Sequence, residues 1–408
     1  MLSREENDII TRVSSGAPLG RLFRQHFWIP AVPSAELVAE GAPVSVRLLG
    51  ENFVAFRSTD GRLGFFDEGC PHRGASFLLA RNEGNGLRCI FHGWKFDVSG
   101  KCVEAPTQFK NAEAFCKTVP LKHYAIREAG GIAWVWLGEG AETPKFPELP
   151  FTQVAPESRH VTYQDVNCNW LQGAEGNMDS AHVGILHSTT VKHLPGSDLK
   201  LAAKNTAPRY EIESRPYGFR YAAIRALSDG TDYVRINTYV APWYAIICPN
   251  DKASPTLVII TTPIDDENMR FWLVPFMVGQ PLPANGFNSL APTISNWPPL
   301  PPGDRSNSWG QNRDLMNRGH FTGFPQHVFT EDFAVALSQG PIVDRSKEFL
   351  NSGDGACVRL RQILLQAVKE FQAGKAPEIA TSEKIDYSKA ASIGAVVPSE
   401  IDWRTIAA

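Results

Sequence analysis

Short apolar runs broken by turn residues dominate the first third of the chain. Val44 to Leu49, Asn52 to Arg57 and Leu63 to Phe66 are rich in Val and Phe, with turn signals at Gly50-Glu51 and Asp60-Gly61. This pattern predicts a meander of β-strands. Trp94-Lys-Phe-Asp-Val followed by Ser99-Gly100-Lys101 predicts a hairpin. A second hairpin joins Tyr124–Ala129 to Ile132–Leu137 across Gly130-Gly131. Proline-rich residues 144–150 (PKFPELP) then close an all-β unit.

Beyond residue 150 the pattern mixes periods. Asn169 to His182 has helical character, while Phe219–Ile224, Tyr233–Val240 and Leu257–Thr262 predict strands of an open antiparallel sheet. Thr330–Leu337 and Val358–Phe371 predict helices. In the latter, Leu360, Leu364, Val368 and Phe371 form one apolar stripe. Glu5 to Val13 predicts a short helix at the start. Residues 280–312 are rich in Pro, Asn and Ser, a long loop suited to covering an entrance, to reaching a neighbouring subunit or simply to solvent. The expected class is α+β: an all-β unit over 41–150, then an α+β unit over 151–408 with an antiparallel sheet flanked by helices, a helix-grip-like arrangement. Residues 1–40 are expected as a helix and extension packed on the second unit.

Composition changes this picture little. Hydrophobic content of 43% and charged content of 20% are ordinary for a globular protein. A net charge of −3 gives no reason to expect nucleic acid or an anionic membrane as partner. The N-terminus lacks an apolar signal core, and no run approaches a membrane span. Cys102, Cys116, Cys168, Cys248 and Cys357 follow no disulfide framework, which predicts reduced thiols and a cytoplasmic location.

The chemistry sits in two motifs. Cys70-Pro-His72 is followed by Cys89-Ile-Phe-His92, so two tight turns each offer one sulfur and one nitrogen. Thiolates suit one iron of a [2Fe-2S] cluster, and neutral imidazoles suit the other and raise its potential. Gly74 and Gly93 supply turn chemistry beside the ligands. A Cys2His2 zinc site is the alternative, but this spacing is rare for zinc. The second motif is Glu175-Gly-Asn177-Met-Asp179-Ser-Ala-His182-Val-Gly-Ile-Leu-His187. His182 and His187 are five apart, so both can reach one metal only if the helix ends between them, and Gly184 is placed for that break. Asp179 and His182, three apart, would share a helix face, with Asp179 accepting from a ligand imidazole. Glu175 and Asn177 are weaker candidates for the same site. The alternative is a pair of purely structural histidines.

These motifs, together with ENDIITRV, RQHFWIPA and FTEDFAVALSQGPIVDRSKEFL, resemble the catalytic α subunit of Rieske non-haem iron aromatic-ring-hydroxylating oxygenases, in the phthalate and phenoxybenzoate dioxygenase branch. One departure is Ser14-Ser-Gly-Ala-Pro18 where the branch has Gly-Pro-Gly-Thr-Pro, a change expected to touch packing. The resemblance implies a [2Fe-2S] Rieske cluster on Cys70, His72, Cys89 and His92, and a mononuclear non-haem Fe(II) on His182, His187 and a third ligand, a C-terminal aspartate. Asp332 aligns with that aspartate, although helical periodicity alone leaves Glu331 open. It further implies that Asp179 bridges His182 to His92 of a neighbouring subunit in a head-to-tail homotrimer. A separate NAD(P)H-dependent reductase, carrying flavin and iron–sulfur, would supply electrons, since no nucleotide-binding fingerprint is present.

The implied activity is dihydroxylation of an aromatic carboxylate with O2. Monooxygenation, O-demethylation or ether cleavage by the same centre is the alternative, and a Rieske electron carrier with a non-catalytic binding module is the remote one. A carboxylate in an apolar pocket needs a cationic partner, and Arg225 and Arg235 on predicted strands are the candidates.

Overall fold

The computed structural model describes residues 1–140, 142–192, 197–251, 254–283 and 300–406. The chain folds into two compact units: Val13–Gly16 with Gly20–Phe146, and Met1–Arg12 and Ala17–Leu19 with Pro147–Ala408.

Among the described residues the first unit holds ten strands in three antiparallel sheets. β1 (Ile29–Pro33), β10 (Ile132–Trp136) and β9 (Ala125–Ala129) form one sheet, with β10 in the middle and all five of its residues buried. β2 (Val44–Leu48), β3 (Glu51–Arg57) and β4 (Leu63–Asp67) make the expected meander. β5 (Arg81–Glu83), β6 (Gly86–Arg88), β7 (Lys95–Asp97) and β8 (Cys102–Glu104) form the sheet from which the second Cys-x-x-His turn projects. Val54, Phe56, Phe66, Phe77, Leu87 and Phe96 pack into one core that also contains Cys70, Cys89 and Trp94. The ligand turns are thus rooted in the apolar interior.

The second unit is built on an antiparallel sheet of eight strands. Its order is β11 (Thr162–Val166), β17 (Met269–Phe276), β16 (Thr256–Pro263), β15 (Tyr244–Ile247), β14 (Thr231–Val240), β13 (Gly218–Ala226) and β12 (Arg209–Arg215), with β18 (Ile393–Pro398) pairing β14 beyond the end of β15. Helix α1 (Arg4–Thr11) opens the chain behind a Ser3–Glu6 capping box. Helix α2 (Trp170–Met178) is capped by Asn169, whose side chain accepts from Leu171 N–H and donates to the carbonyls of Thr11 and Asp266. At Gly173 a Cβ would lie 2.6 Å from Met269 Sδ, so glycine lets α2 press directly onto the sheet. Helix α3 (Val328–Ser338) is capped by His327, and α4 (Gly355–Gln372) buries Leu360, Leu364 and Val368 as its stripe predicts.

One expectation changes. The segment 1–40 is not one body: α1 groups with the second unit, where Asn7 donates to Val343 carbonyl, but β1 pairs with β10 in the first. Of the 280–312 loop, residues 284–299 lie outside the described residues. At its far end Asp304 caps a short 3-10 segment over Arg305–Gly310 that kinks at Asn307, Ser308 and Trp309.

Candidate metal centres and cavity

In the first unit the two ligand turns repeat one another. Cys70 N–H donates to Ala75 carbonyl and Gly74 N–H to Cys70 carbonyl; Cys89 N–H donates to Trp94 carbonyl and Gly93 N–H to Cys89 carbonyl. Gly74 and Gly93 take the left-handed conformation at φ +73° and +74°, which is the turn role their positions predict. The His72 and His92 rings lie 4.3 Å apart, and His72 stacks on Trp94 at 4.4 Å and 11°. The Nδ1 atoms of both imidazoles are buried without a hydrogen-bond partner. A buried orphan nitrogen is costly unless something binds it. Burial and the neighbouring Cys89 push the Cys70 thiol up, so a free thiolate is disfavoured until a metal takes the proton's place. Two buried sulfurs and two orphan nitrogens fit a Rieske cluster.

In the second unit α2 ends at Met178, and Asp179 leaves it in extended geometry (φ −84°, ψ 114°). The expected shared helix face of Asp179 and His182 is therefore replaced by a turn. Asp179 Oδ1 accepts from Ala181 N–H at 2.6 Å and from Tyr210 hydroxyl at 3.3 Å, while Oδ2 lies 3.4 Å from His182 Nδ1. A 3-10 turn over His182–Gly184 follows, and His187 begins a second short helix, Ser188–Val191. The helix does break between the histidines, but Gly184 serves by close approach rather than by a left-handed φ: a Cβ there would lie 2.2 Å from Ala202 carbonyl oxygen.

Asp332, one turn into α3, meets both imidazoles. Its Oδ1 lies 3.2 Å from His187 Nε2 and 3.6 Å from His182 Nε2. One ligand atom from each of these three residues lies within 4.8 Å of the others. Two imidazoles and one carboxylate with open sides form the donor set that suits non-haem Fe(II). Glu331 does not join this trio. It is buried behind His187, with Oε2 2.6 Å from Nδ1. Burial disfavours a charged His187, yet Asp332 and Glu331 outweigh it and raise the imidazole to about 10.

The trio opens into a cavity of about 340 Å³. Ile247, Leu257, Ile259 and Phe271 supply apolar wall, while Asn177 and Arg235 supply polar groups. Arg235 is 3% exposed, and its Nε and Nη1 have no hydrogen-bond partner. The Asn177 amide nitrogen is likewise buried and unpartnered.

Two candidates from the sequence are committed elsewhere. Arg225 donates from Nε to Asn205 carbonyl and from Nη2 to Ser180 carbonyl at 2.6 Å, and it does not line the cavity. Glu175 borders the cavity, but it is clasped by Arg345 through both oxygens and by Arg361 at 2.6 Å, contacts that anchor α2. Burial pushes Glu175 up, but the two guanidinium groups reverse this and hold it below the usual carboxylate range. Tyr210, Thr322 and the two anchoring arginines went unseen in the sequence, because no motif marks residues that act only through tertiary contact.

This fold and these centres match known proteins. A Rieske [2Fe-2S] domain model matches residues 27–124, and a model described as LigXa C-terminal domain like matches 135–408. The oxygenase subunit of phthalate 4,5-dioxygenase from Pseudomonas putida is 36% identical over 99% of this chain and 94% of its own length. That of 3-chlorobenzoate-3,4-dioxygenase from Comamonas testosteroni is 32% identical over 99% and 98%. A variant of NdmA from Pseudomonas putida CBB5, solved with theobromine, shares the fold at a TM-score of 0.60, with 18% identity over 89% of this chain and 97% of that one. The chain belongs to the Rieske non-haem iron oxygenases, as an oxygenase subunit of the phthalate dioxygenase-like branch. It is an oxidoreductase whose cofactors are a [2Fe-2S] cluster and a mononuclear non-haem iron.

Proposed function

We propose that this chain is the terminal oxygenase of a multicomponent system that dihydroxylates an aromatic carboxylate. Arg235 carries the substrate class. A buried guanidinium with two unpartnered nitrogens, in a cavity with apolar walls, calls for an anion with a flat apolar body. When bound, the cluster stores electrons one at a time and the iron activates O2. His182, His187 and Asp332 would hold that iron, and Cys70, His72, Cys89 and His92 the cluster. Arg235 fixes the carboxylate, and Ile247, Leu257, Ile259 and Phe271 exclude water around the ring.

Asp179 is the proposed link to the cluster. Its Oδ2 faces His182 and its side chain is 33% exposed, which leaves room for His92 of a neighbouring copy. This reading calls for a head-to-tail homotrimer. A separate NAD(P)H-dependent reductase with flavin and iron–sulfur centres would feed the cluster, and the seven free cysteines suit a cytoplasmic setting.

The test is a substrate screen with a surrogate reductase and labelled O2. A cis-diol carrying both oxygen atoms from a benzoate or phthalate bears out the proposal. A phenol or formaldehyde carrying one oxygen moves it to monooxygenation or O-demethylation. O2 uptake that yields only peroxide across all aromatic carboxylates would overturn the substrate class.

A further inference from the structure

Behind His187 stands a carboxylate outside the proposed ligand set. Glu331 is 1% exposed, and its Oε2 lies 2.6 Å from His187 Nδ1. Its Oε1 accepts a short hydrogen bond from the Thr322 hydroxyl, whose oxygen is in turn 3.4 Å from Phe324 N–H. Among the described residues no arginine or lysine pairs with it. Glu175, less deeply buried at 13% exposed, shows the contrast: two guanidinium groups neutralise it. A buried carboxylate without such a partner is costly. Glu331 therefore needs positive charge from the side on which His187 stands, and the iron site lies on that side.

The geometry also assigns the two ring nitrogens to different neighbours. With Glu331 as acceptor, Nδ1 carries a proton, and Nε2 is the nitrogen on the side of Asp332, whose Oδ1 lies 3.2 Å away. The other imidazole is held more loosely, with Asp179 Oδ2 at 3.4 Å from His182 Nδ1 and that acid a third exposed. The two histidines are thus unequal: one backed by a dry, doubly anchored carboxylate, the other by a partly solvated acid.

We propose that Glu331, anchored by Thr322, is a positioning residue for the mononuclear iron. It locks the His187 ring with Nε2 toward the metal and supplies a negative charge that Fe(II) balances. The inference rests on His187 being an iron ligand, so its test carries a control for that reading.

Three variants separate the contributions. Glu331→Gln keeps an oxygen to accept from Nδ1–H but removes the charge; Glu331→Ala removes both; Thr322→Val removes the anchor. Fe(II) affinity is read by titrating iron-depleted full-length protein against a competing chelator. Ring orientation is read from the electron paramagnetic resonance spectrum of the nitric oxide adduct. Loss of such a partner typically weakens metal binding about 10- to 100-fold. Glu331→Gln is expected at the low end with a near-native nitrosyl spectrum. Glu331→Ala is expected at the high end with an altered one. Thr322→Val should lower affinity less than Glu331→Ala. All three should retain the Rieske cluster spectrum, which reports a folded first unit. His187→Ala is the control and should lose iron altogether. If it keeps iron, the ligand reading fails. If it loses iron while Glu331→Ala matches the native affinity and nitrosyl spectrum, the ligand reading stands and the positioning role is overturned. Should Glu331→Ala not fold, Glu331→Gln and Thr322→Val decide, and native iron affinity in both overturns it.

Discussion

Asp179 turns its two oxygens to different tasks: Oδ1 is tied to Ala181 N–H and Tyr210, and Oδ2 stands 3.4 Å from His182 Nδ1. An amide can keep the first set as an acceptor but loses the charge needed to draw on an imidazole proton. Asp179→Asn is expected to bind both metals and to fold normally, with steady-state turnover reduced at least about 100-fold, at the strong end of losses for such partners. Iron and sulfide content, and the rate at which a pre-reduced cluster is reoxidised with substrate and O2, provide the check. Native reoxidation in this variant would remove Asp179 from the electron path.

Arg235 predicts an unusual pairing of effects. Arg235→Met removes a buried charge that pairs with no carboxylate among the described residues, so thermal stability should hold or rise. Binding of an aromatic carboxylate should weaken by about 10- to 100-fold, since hydrogen bonds to charged groups contribute roughly 1.5–3 kcal/mol. Melting curves and KM values for matched acid and amide substrates test both halves. An equal loss for acid and amide would mean that Arg235 shapes the cavity without reading the carboxylate.

The Glu175 clasp sets part of the acid sensitivity. Its carboxyl is held below the usual range by Arg345 and Arg361 against an opposing effect of burial. A depressed folded pKa contributes stability that is complete above the unfolded value of about 4.3 and is lost as pH falls through the folded value. Glu175→Gln should cost about 3–5 kcal/mol at neutral pH, because the buried Arg345 loses its carboxylate partner, while Arg361 keeps Glu348. The gap between native protein and variant should narrow below about pH 4. Urea unfolding across pH 3–7 measures this, and a gap independent of pH would refute it.

Gly184→Ala should disturb the metal site without touching a ligand. The added methyl meets a backbone carbonyl at 2.2 Å, so the His182–Gly184 turn must move away from Ala202. Overpacking of this kind costs roughly 1–3 kcal/mol. Iron occupancy should fall alongside the melting temperature, while the cluster spectrum stays native. Unchanged iron occupancy would show that the turn absorbs the methyl elsewhere.

Much of this was legible because it is local. The meander from Val44 to Phe66, the glycines beside Cys70 and Cys89, and the stripe on α4 follow from periodicity and turn chemistry, and both metal motifs stood out by spacing. What stayed hidden depends on register and tertiary angle. Arg225 and Arg235 sit on adjacent strands, with Tyr233 opposite Arg225 and Ala223 opposite Arg235, and nothing in their flanking residues tells which one opens into the cavity. Glu331 and Asp332 are consecutive acids on one helix turn. Only the direction from which His182 and His187 approach decides that Asp332 meets both Nε2 atoms while Glu331 takes Nδ1 of one.

That adjacency has a mechanical side. α3 is a single rigid rod, and at one point along it consecutive residues reach an imidazole from front and back. Sliding or rotating the rod cannot alter the reach of Asp332 without also swinging the His187 ring through Glu331. Two adjustments that separate elements could make independently are geared together here, so a shift of α3 would move the Asp332 carboxylate and the His187 ring in one stroke.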